Sequence, residues 1–367
     1  MTLTYYGAFV PAPTRVWLKR LDRNQRPGRQ GGELPRKALP MNRALALALV
    51  LAFGAASRGE AQTRAQGPWW PHPIWGADDQ SGGSNWIKPA KVLEAVSLVK
   101  TGKTYELGQV YERGMPLFGQ RTYSIFIPGS PTGGPSGKNN LVYHDELLVA
   151  EIGQVGTQFD GPGHIGMRMK MADGKTWDVF YNGFPLEEMR SPYGLERLGV
   201  ENVKPIITRG IVIDVAGYKG VEILPNSYEV TVADVLGALK RQGISEKDIR
   251  EGDALFFRYG WSKLWRQPDK YNTNPPGIGL EVARWIVAKK ASMVGSDQWT
   301  TEVVPNPNPE LSFPVHQELI MKNGIFNLEN MVLEEVTRDR AYEFLFIFTP
   351  LRLKGASGSP GRPLAIR

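Results

Sequence analysis

The sequence contains no cysteine, and its 367 residues include only four histidines. Without cysteine, a disulfide scaffold, a thiolate zinc site and a cysteine nucleophile are all excluded. A metal site or an acid/base site must therefore be built from carboxylates, oxygen donors and a very small number of imidazoles.

A net charge is also lacking over most of the chain. Residues 62–367 hold 34 basic and 34 acidic side chains, whereas residues 1–61 hold ten basic and three acidic ones, so the formal charge of +7 belongs to the first 61 residues. The remainder has no global basic field, which argues against nucleic acid as a partner. An apolar content of 41% is sufficient for one large domain or two modest ones.

Two segments precede the part of the sequence that predicts a folded domain. Residues 1–40 are rich in Arg, Pro and Gly, and we interpret them as a disordered extension or as sequence upstream of the true start at Met41. Residues 41–61 combine a short basic start, an apolar run and a small-x-small site ending at Ala61, which predicts a signal peptide. The mature protein is then periplasmic or secreted, with no membrane contact after cleavage. A buried helix or a membrane anchor is the alternative for this run.

The mature chain predicts a mixed α/β domain over residues 86–367, preceded by a Trp/Pro-rich N-terminal arm at 62–85. Helical spacing or capping signals mark Lys88–Thr101, Thr231–Gln242, Gly279–Lys290 and His316–Asn323. Apolar, β-branched runs predict strands at Thr104–Val110, Tyr123–Pro128, Leu147–Ile152, Gly210–Val215, Asp253–Tyr259, Ala291–Gly295, Ile325–Leu328 and Glu343–Pro350. A Gly/Pro/Ser-rich stretch, Ser130–Asn140, predicts a loop that covers a site.

The segment from Gln154 to His164 is the first place to look for chemistry. Its three glycines and one proline predict a tight turn outside helix interiors and central strands. The turn holds Asp160 and His164, and other acids or histidines end apolar elements elsewhere, at Asp297, His316 and Glu329. Polar groups at the ends of elements converge on a pocket beside the sheet, where two histidines and several carboxylates form a plausible metal set.

The same segment resembles a known signature. Gly-Thr-Gln-Phe-Asp-Gly-Pro-Gly-His at 156–164 is similar to the His-x-Gly-Thr-His-x-Asp-x-Pro-x-His pattern of the metal-dependent cyclase/hydrolase family, which includes bacterial kynurenine formamidase and isatin hydrolase. Further blocks at 75–85, 253–261, 294–297, 316–330 and 355–360 resemble the family in the same order. The resemblance implies a single mixed-sheet, barrel-like domain of the swivelling β/β/α type with peripheral helices, usually a homodimer or homotetramer.

The resemblance also implies roles for individual residues. Asp160 is expected to bind a divalent metal ion, manganese or zinc, and His164 to act as the general base. His316 and Glu329 are expected to complete that metal site or to hold a second ion. The implied substrate is a small molecule with an amide, ester, lactam or lactone carbonyl.

The sequence departs from the signature at two positions. Gln154 and Gln158 stand where the family has histidine ligands. An amide oxygen is a neutral, weaker donor than imidazole, so metal ligation by both would favour manganese, magnesium or calcium over zinc. The alternative is that both glutamines only form hydrogen bonds within the turn.

Four further residues are candidates for binding the substrate. Trp299 and Trp261 are expected to line an apolar pocket, although core packing explains either tryptophan equally well. Asp297 and His144 are expected near the site, although a surface position also explains His144. The sequence thus predicts a metal-dependent hydrolase. A small-molecule binding protein whose chemistry has weakened, or a lyase or dehydratase on the same scaffold, are the alternatives.

Overall fold

The computed structural model describes residues 66–172 and 174–367. The predicted extension at 1–40 and the predicted signal peptide at 41–61 therefore lie outside the described residues. Within the described ranges, no helix is both long enough and apolar enough to cross a membrane.

Strands account for most of the regular structure around the candidate site. In chain order they are β1 Thr104–Glu106, β2 Tyr123–Phe126, β3 Gly133–Ser136, β4 Leu141–Tyr143, β5 Leu147–Ala150, β6 Gln158–Asp160, β7 Met167–Lys170, β8 Thr176–Val179, β9 Ile206–Asp214, β10 Glu229–Val230, β11 Ala254–Arg258, β12 Gly277–Ile278, β13 Met293–Ser296, β14 Phe326–Glu329, β15 Glu343–Phe348, β16 Gly358–Pro360 and β17 Leu364–Ile366.

The helices are short and lie around the sheet. They are α1 Pro89–Val96, α2 Leu186–Met189, α3 Val215–Lys219, α4 Val232–Gln242, α5 Pro268–Tyr271, α6 Leu280–Ala288, α7 Pro314–His316 and α8 Glu334–Arg338. Single 3₁₀ turns occur at Gly82–Trp86, Tyr181–Gly183, Val200–Asn202, Glu246–Asp248 and Trp261–Leu264, and a π-helical turn, Gln317–Met321, follows α7 directly.

One curled mixed sheet forms a half-barrel in the order β1-β17-β15-β9-β11-β13-β14-β6-β16. Its centre, β9, β11, β13 and β14, is parallel, while the strands on both flanks pair antiparallel. Because successive side chains of a strand point to opposite faces, β11 contributes Leu255 and Phe257 to one buried cluster and Ala254 and Phe256 to another. The predicted mixed α/β, barrel-like fold with peripheral helices is confirmed.

Helix α4 shows how local sequence signals set the boundaries of an element. Thr231 and Asp234 form a reciprocal capping box at its start, and Gly243 adopts a left-handed conformation, with φ of 77°, at its end. The helix predicted from these residues is confirmed.

Two predictions about local structure were wrong. Ser130–Asn140 is largely part of the β3–β4 hairpin rather than an irregular covering loop, because Gly133–Ser136 pairs with Leu141–Tyr143. Residues 158–160 form β6, which lies between β14 and β16 and is therefore an internal strand. Proline and glycine do not prevent this pairing, because Gly161, Pro162 and Gly163 come immediately after the strand.

Candidate metal centre and pocket

The pairing of β6 with β14 brings the candidate ligands together. The antiparallel register places Gln158 opposite Glu329 and Asp160 opposite Asn327. Residues two apart in a strand share a face, so all four side chains lie on one face of the sheet. On the other side of β6, Gly358 pairs with Asp160, and a side chain at this position would collide with the amide of Gln154.

His316 reaches the same face from helix α7. Its Nε2 lies 3.3 Å from Glu329 Oε1 and 3.7 Å from Asp160 Oδ2. One donor atom from each of Asp160, His316 and Glu329 lies within 4.8 Å of the others, and all three residues are buried. Three residues that are far apart in the sequence therefore form one compact donor set.

A buried carboxylate fixes the orientation of the imidazole. Glu302 Oε1 lies 2.5 Å from His316 Nδ1, and the Glu302 carboxylate also accepts the backbone N–H groups of Val315 and His316. Burial alone lowers the pKa of His316, but the bonds with Glu302 and Glu329 raise that pKa well above its usual value. With Nδ1 hydrogen-bonded to Glu302, Nε2 is the ring nitrogen that faces the two other donors.

The carboxylates of the set are held close together in a region of low solvent access. Burial first, and the nearby Asp160 carboxylate second, raise the pKa of Glu329 to about 7. Asn327 Nδ2 donates to Glu329 Oε1 at 2.8 Å and to Asp160 Oδ2 at 3.2 Å. Two adjacent buried carboxylates repel each other, so a cation between them is favourable.

Both glutamines of the turn form hydrogen bonds with this set. Gln158 Nε2 donates to Glu329 Oε2 at 2.9 Å, and Gln154 Nε2 donates to Asp160 Oδ1 at 3.3 Å. The carbonyl oxygen of Gln154 accepts a bond of 3.3 Å from Arg121 Nη2. The amide nitrogens, rather than the oxygens, thus face the acids in this arrangement.

The donor set fits a divalent metal ion. Two carboxylates and one imidazole with a fixed tautomer are ligands suited to zinc or manganese, and the Glu302–His316 contact is the outer-shell bond typical of metal-binding histidines. The residues that hold the ion would be Asp160, His316 and Glu329.

His164 lies at the edge of the same site. The turn after β6 places His164 here, and this turn packs closely against the residues around Leu198. A side chain at Gly163 would approach within 2.9 Å of the Leu198 carbonyl oxygen, so only glycine fits next to His164. His164 Nε2 is 3.7 Å from Asp160 Oδ1, and its ring centroid is 6.4 Å from that of His316. Burial lowers the pKa of His164, and Asp160 only partly opposes this, so the ring is neutral near pH 7 and able to accept a proton.

A cavity of about 160 Å³ opens onto His316 and Glu329 of the donor set. Its wall comprises Phe118, Arg121, Gln154, Gln158, His164, Ile165, Trp299, Thr300, Phe313, His316 and Glu329. The Phe118 and Trp299 rings stack with centroids 4.2 Å apart. Trp299 Nε1 and Thr300 Oγ1 are buried without a hydrogen-bond partner within the described ranges.

Three predicted substrate-binding residues lie elsewhere. Trp261 is buried in the core and donates through Nε1 to the Tyr271 carbonyl at 2.8 Å. Asp297 is buried and accepts the backbone N–H groups of Tyr259, Gly260 and Trp261, so its carboxylate orders the turn after β11. His144 is exposed just after β4 and is not part of the cavity wall. Of the four predicted residues, only Trp299 is placed at the cavity.

Sequence reasoning missed several residues of the site. Asn327 had a detectable signal, because it is a polar residue inside an apolar strand run, two positions before Glu329 and therefore on the same face. Glu302, Arg121, Phe118 and Phe313 carried no comparable signal, because they come from loops whose approach depends on the tertiary structure.

The comparisons with known proteins agree with this arrangement. The sequence model of the Cyclase family matches residues 105–303, more than half of the chain. The solved structure of a novel cyclase is 30% identical, with a TM-score of 0.71 over 80% of this chain and 98% of that chain. A search of the curated proteins finds no match.

Two isatin hydrolases share the fold. Isatin hydrolase A from Ralstonia solanacearum is 18% identical, with a TM-score of 0.53 over 72% of this chain and 92% of its own. Isatin hydrolase A from Labrenzia aggregata, bound to benzyl benzoate, is 20% identical, with a TM-score of 0.53 over 75% of this chain and 98% of its own. The family match and the 30% identical cyclase together carry the assignment: the chain belongs to the Cyclase family of enzymes, as its sequence motifs predict.

Proposed function

We propose that the protein is a metal-dependent hydrolase that cleaves an amide, ester, lactam or lactone carbonyl of a small molecule. The observation that carries this proposal is the convergence of Asp160, His316 and Glu329 into one donor set, of which His316 and Glu329 line a cavity together with His164. At 18–20% identity the isatin hydrolases share only the fold with this chain.

The three donors supply the metal-binding part of the site. A divalent ion held there would polarise a carbonyl and would lower the pKa of water toward neutrality. Glu302 keeps the His316 imidazole oriented, and Asn327 donates to both carboxylates, which holds them in place. These contacts preorganise the donors, which is the condition for selective and tight binding of an ion.

We assign the proton transfers to His164. Its lowered pKa leaves the ring neutral, so Nε2 can accept a proton from water and later return it to the leaving group. Asp160 lies 3.7 Å from that nitrogen, and its negative charge stabilises the imidazolium that forms. The aromatic rings of Phe118, Trp299 and Phe313 would exclude bulk water from the reacting groups.

Metal content and turnover test this proposal together. The purified chain is expected to contain close to one equivalent of manganese or zinc, and to hydrolyse members of a panel of aryl esters, lactones and N-formyl amides. His164→Ala should abolish turnover without loss of metal, whereas His144→Ala, which changes an exposed histidine outside the cavity, should leave both unchanged. A chelator should lower the melting temperature of the wild type, because an ion at 100 times its Kd stabilises the native state by about 2.7 kcal/mol.

A binding protein is the second candidate, favoured by one observation. Gln154 and Gln158 direct their amide nitrogens to the carboxylates, an arrangement that requires no ion. If the protein is a binding protein, the purified chain should bind aromatic ligands but contain no metal and show no turnover with added manganese or zinc. That combination of results would exclude the hydrolase.

We also propose that the mature protein is exported and forms a homodimer or homotetramer. The leader pattern at 41–61 supports export. The β2–β5 and β3–β4 hairpins expose apolar residues, including Phe126, Leu141 and Leu148, and so supply an apolar surface for self-association. N-terminal sequencing of the protein recovered from the periplasm or medium, and light scattering of the purified chain, test the two statements separately.

A further inference from the structure

We propose that Arg121 determines substrate specificity by binding a carboxylate carried on a single aromatic ring. The inference rests on the proposed hydrolase and narrows its substrates to monocyclic aryl esters or amides that bear an anionic substituent.

Arg121 is a cation at the cavity wall with few protein partners. Its Nη2 donates to Gln154 Oε1 at 3.3 Å, and its Cζ lies 5.5 Å from the Phe118 ring centroid. Within residues 66–172 and 174–367, no carboxylate lies within 4.0 Å of the guanidinium. Glu151, an acid whose charge interacts with Arg121, already accepts bonds from the backbone and hydroxyl of Thr122.

A guanidinium has five N–H donors arranged as a planar fork that matches a carboxylate. Among the described residues, the one hydrogen bond of Arg121 goes to a neutral amide, which leaves most of these donors without a protein acceptor. A cavity that selected neutral substrates would gain nothing from a cation at this position, whereas an anionic substituent would form charge-assisted bonds with it.

The size and lining of the cavity indicate one aromatic ring. A volume of about 160 Å³ is similar to that of an apolar protein cavity, about 150 Å³, that accommodates benzene. The Trp299 ring stacks on Phe118 and meets Phe313 edge to face, with centroids 6.4 Å apart and an angle of 66°. These flat walls favour a planar ring through stacking and edge-to-face contacts.

The position of the anionic group follows from the hydrogen-bond chain. Arg121 contacts Gln154, which in turn contacts Asp160, so the guanidinium lies beside the donor set and separate from it. The carboxylate bound by Arg121 is therefore a substituent of the ring and not the carbonyl that is cleaved.

Matched substrates test the proposal directly. Phenyl acetate and the 2-, 3- and 4-acetoxybenzoates share the scissile ester and the ring and differ in the carboxylate. For the metal-loaded wild type, kcat/KM should be higher for at least one acetoxybenzoate than for phenyl acetate. Arg121→Ala should lower kcat/KM for that acetoxybenzoate roughly 10- to 100-fold more than it lowers kcat/KM for phenyl acetate, because hydrogen bonds to a charged group contribute a free energy of that size.

Controls separate binding of the carboxylate from indirect effects. Arg121→Lys should retain part of the preference, and Arg113→Ala, which changes an exposed arginine outside the cavity, should retain all of it. If Arg121 acted only by positioning Gln154, Arg121→Ala would lower kcat/KM for all four esters equally. That result, or equal kcat/KM for charged and neutral esters in the wild type, would overturn the proposal while the hydrolase assignment stands.

A wild type that cleaves none of these esters would contradict the proposed function for this panel. The role of Arg121 would then be tested by measuring the binding of a carboxylate ligand. Calorimetry should show that Arg121→Ala lowers the affinity for benzoate roughly tenfold or more and leaves the affinity for benzyl alcohol unchanged. Equal benzoate affinity in the wild type and Arg121→Ala would show that Arg121 does not recognise the carboxylate.

Discussion

Glu302 Oε1 lies 2.5 Å from His316 Nδ1, and this contact determines which ring nitrogen faces Asp160 and Glu329. The two residues are separated by a loop and the start of helix α7, and the same carboxylate accepts the first backbone N–H groups of that helix. One buried acid thus holds both the helix start and the imidazole.

Replacing Glu302 should weaken metal binding without removing a ligand. We expect Glu302→Gln to lower metal affinity about 10- to 100-fold, because an amide no longer supplies the charge that orients the imidazole and increases its basicity. Titration calorimetry with manganese and zinc measures this change. Glu310→Gln, at an exposed acid, is the matched control, and equal affinities in all three proteins would contradict the role assigned to Glu302.

A Gln158 variant tests whether this glutamine binds the ion or only forms a hydrogen bond with Glu329. Its Nε2 donates to Glu329 Oε2, so Gln158→Leu should destabilise the fold by about 1–3 kcal/mol, the cost of leaving a buried polar group unpaired. Urea denaturation measures the loss, and elemental analysis at saturating metal should still give the wild-type stoichiometry. A fall in stoichiometry would instead identify Gln158 as a ligand.

Asp297 should contribute to stability and not to substrate binding. Asp297→Ala removes the acceptor of three buried backbone N–H groups, and we expect a loss of roughly 3 kcal/mol or more in the free energy of unfolding. Asp297→Asn keeps one oxygen and should cost less, while Asp269→Ala, at an exposed acid, should cost little. A normally stable Asp297→Asn protein without activity would favour a role in the reaction.

The capping box of helix α4 should make the free energy of unfolding depend on pH in the acid range. Burial raises the pKa of Asp234, but the ion pair with Lys219 and the bonds from Thr231 outweigh burial, and the pKa falls below its usual value. The stabilisation is therefore complete above the unfolded pKa of about 3.9 and is lost as the pH falls through the lower folded value.

Asp234→Asn removes this titration. Denaturation curves between pH 2 and 7 should show the largest difference in stability between wild type and variant above pH 4, with the difference decreasing in acid. A difference that does not change with pH would show that the charge of Asp234 contributes nothing.

The sequence identified most of the polar residues that the structure brings together, and it predicted their surroundings less well. Asp160, His164, His316 and Glu329 could be found because a turn framed by glycine and proline, and polar residues at the ends of apolar runs, are local patterns. Trp261 and Asp297 come from the same kind of pattern, yet both lie in the core, because an aromatic ring or an acid after a strand serves packing as readily as binding.

The sequence by itself determined the absence of thiol chemistry, the mixed α/β class, the capped helix at 232–242 and the family of the chain. Composition, caps and motifs are local, so they can be recognised without knowing where the chain goes. Only the tertiary structure decided that Gln158 lies opposite Glu329, that Glu302 orients His316, and that Arg121 reaches the cavity beside Gln154. These contacts join residues distant in sequence, and they depend on strand register and loop paths that no local pattern specifies.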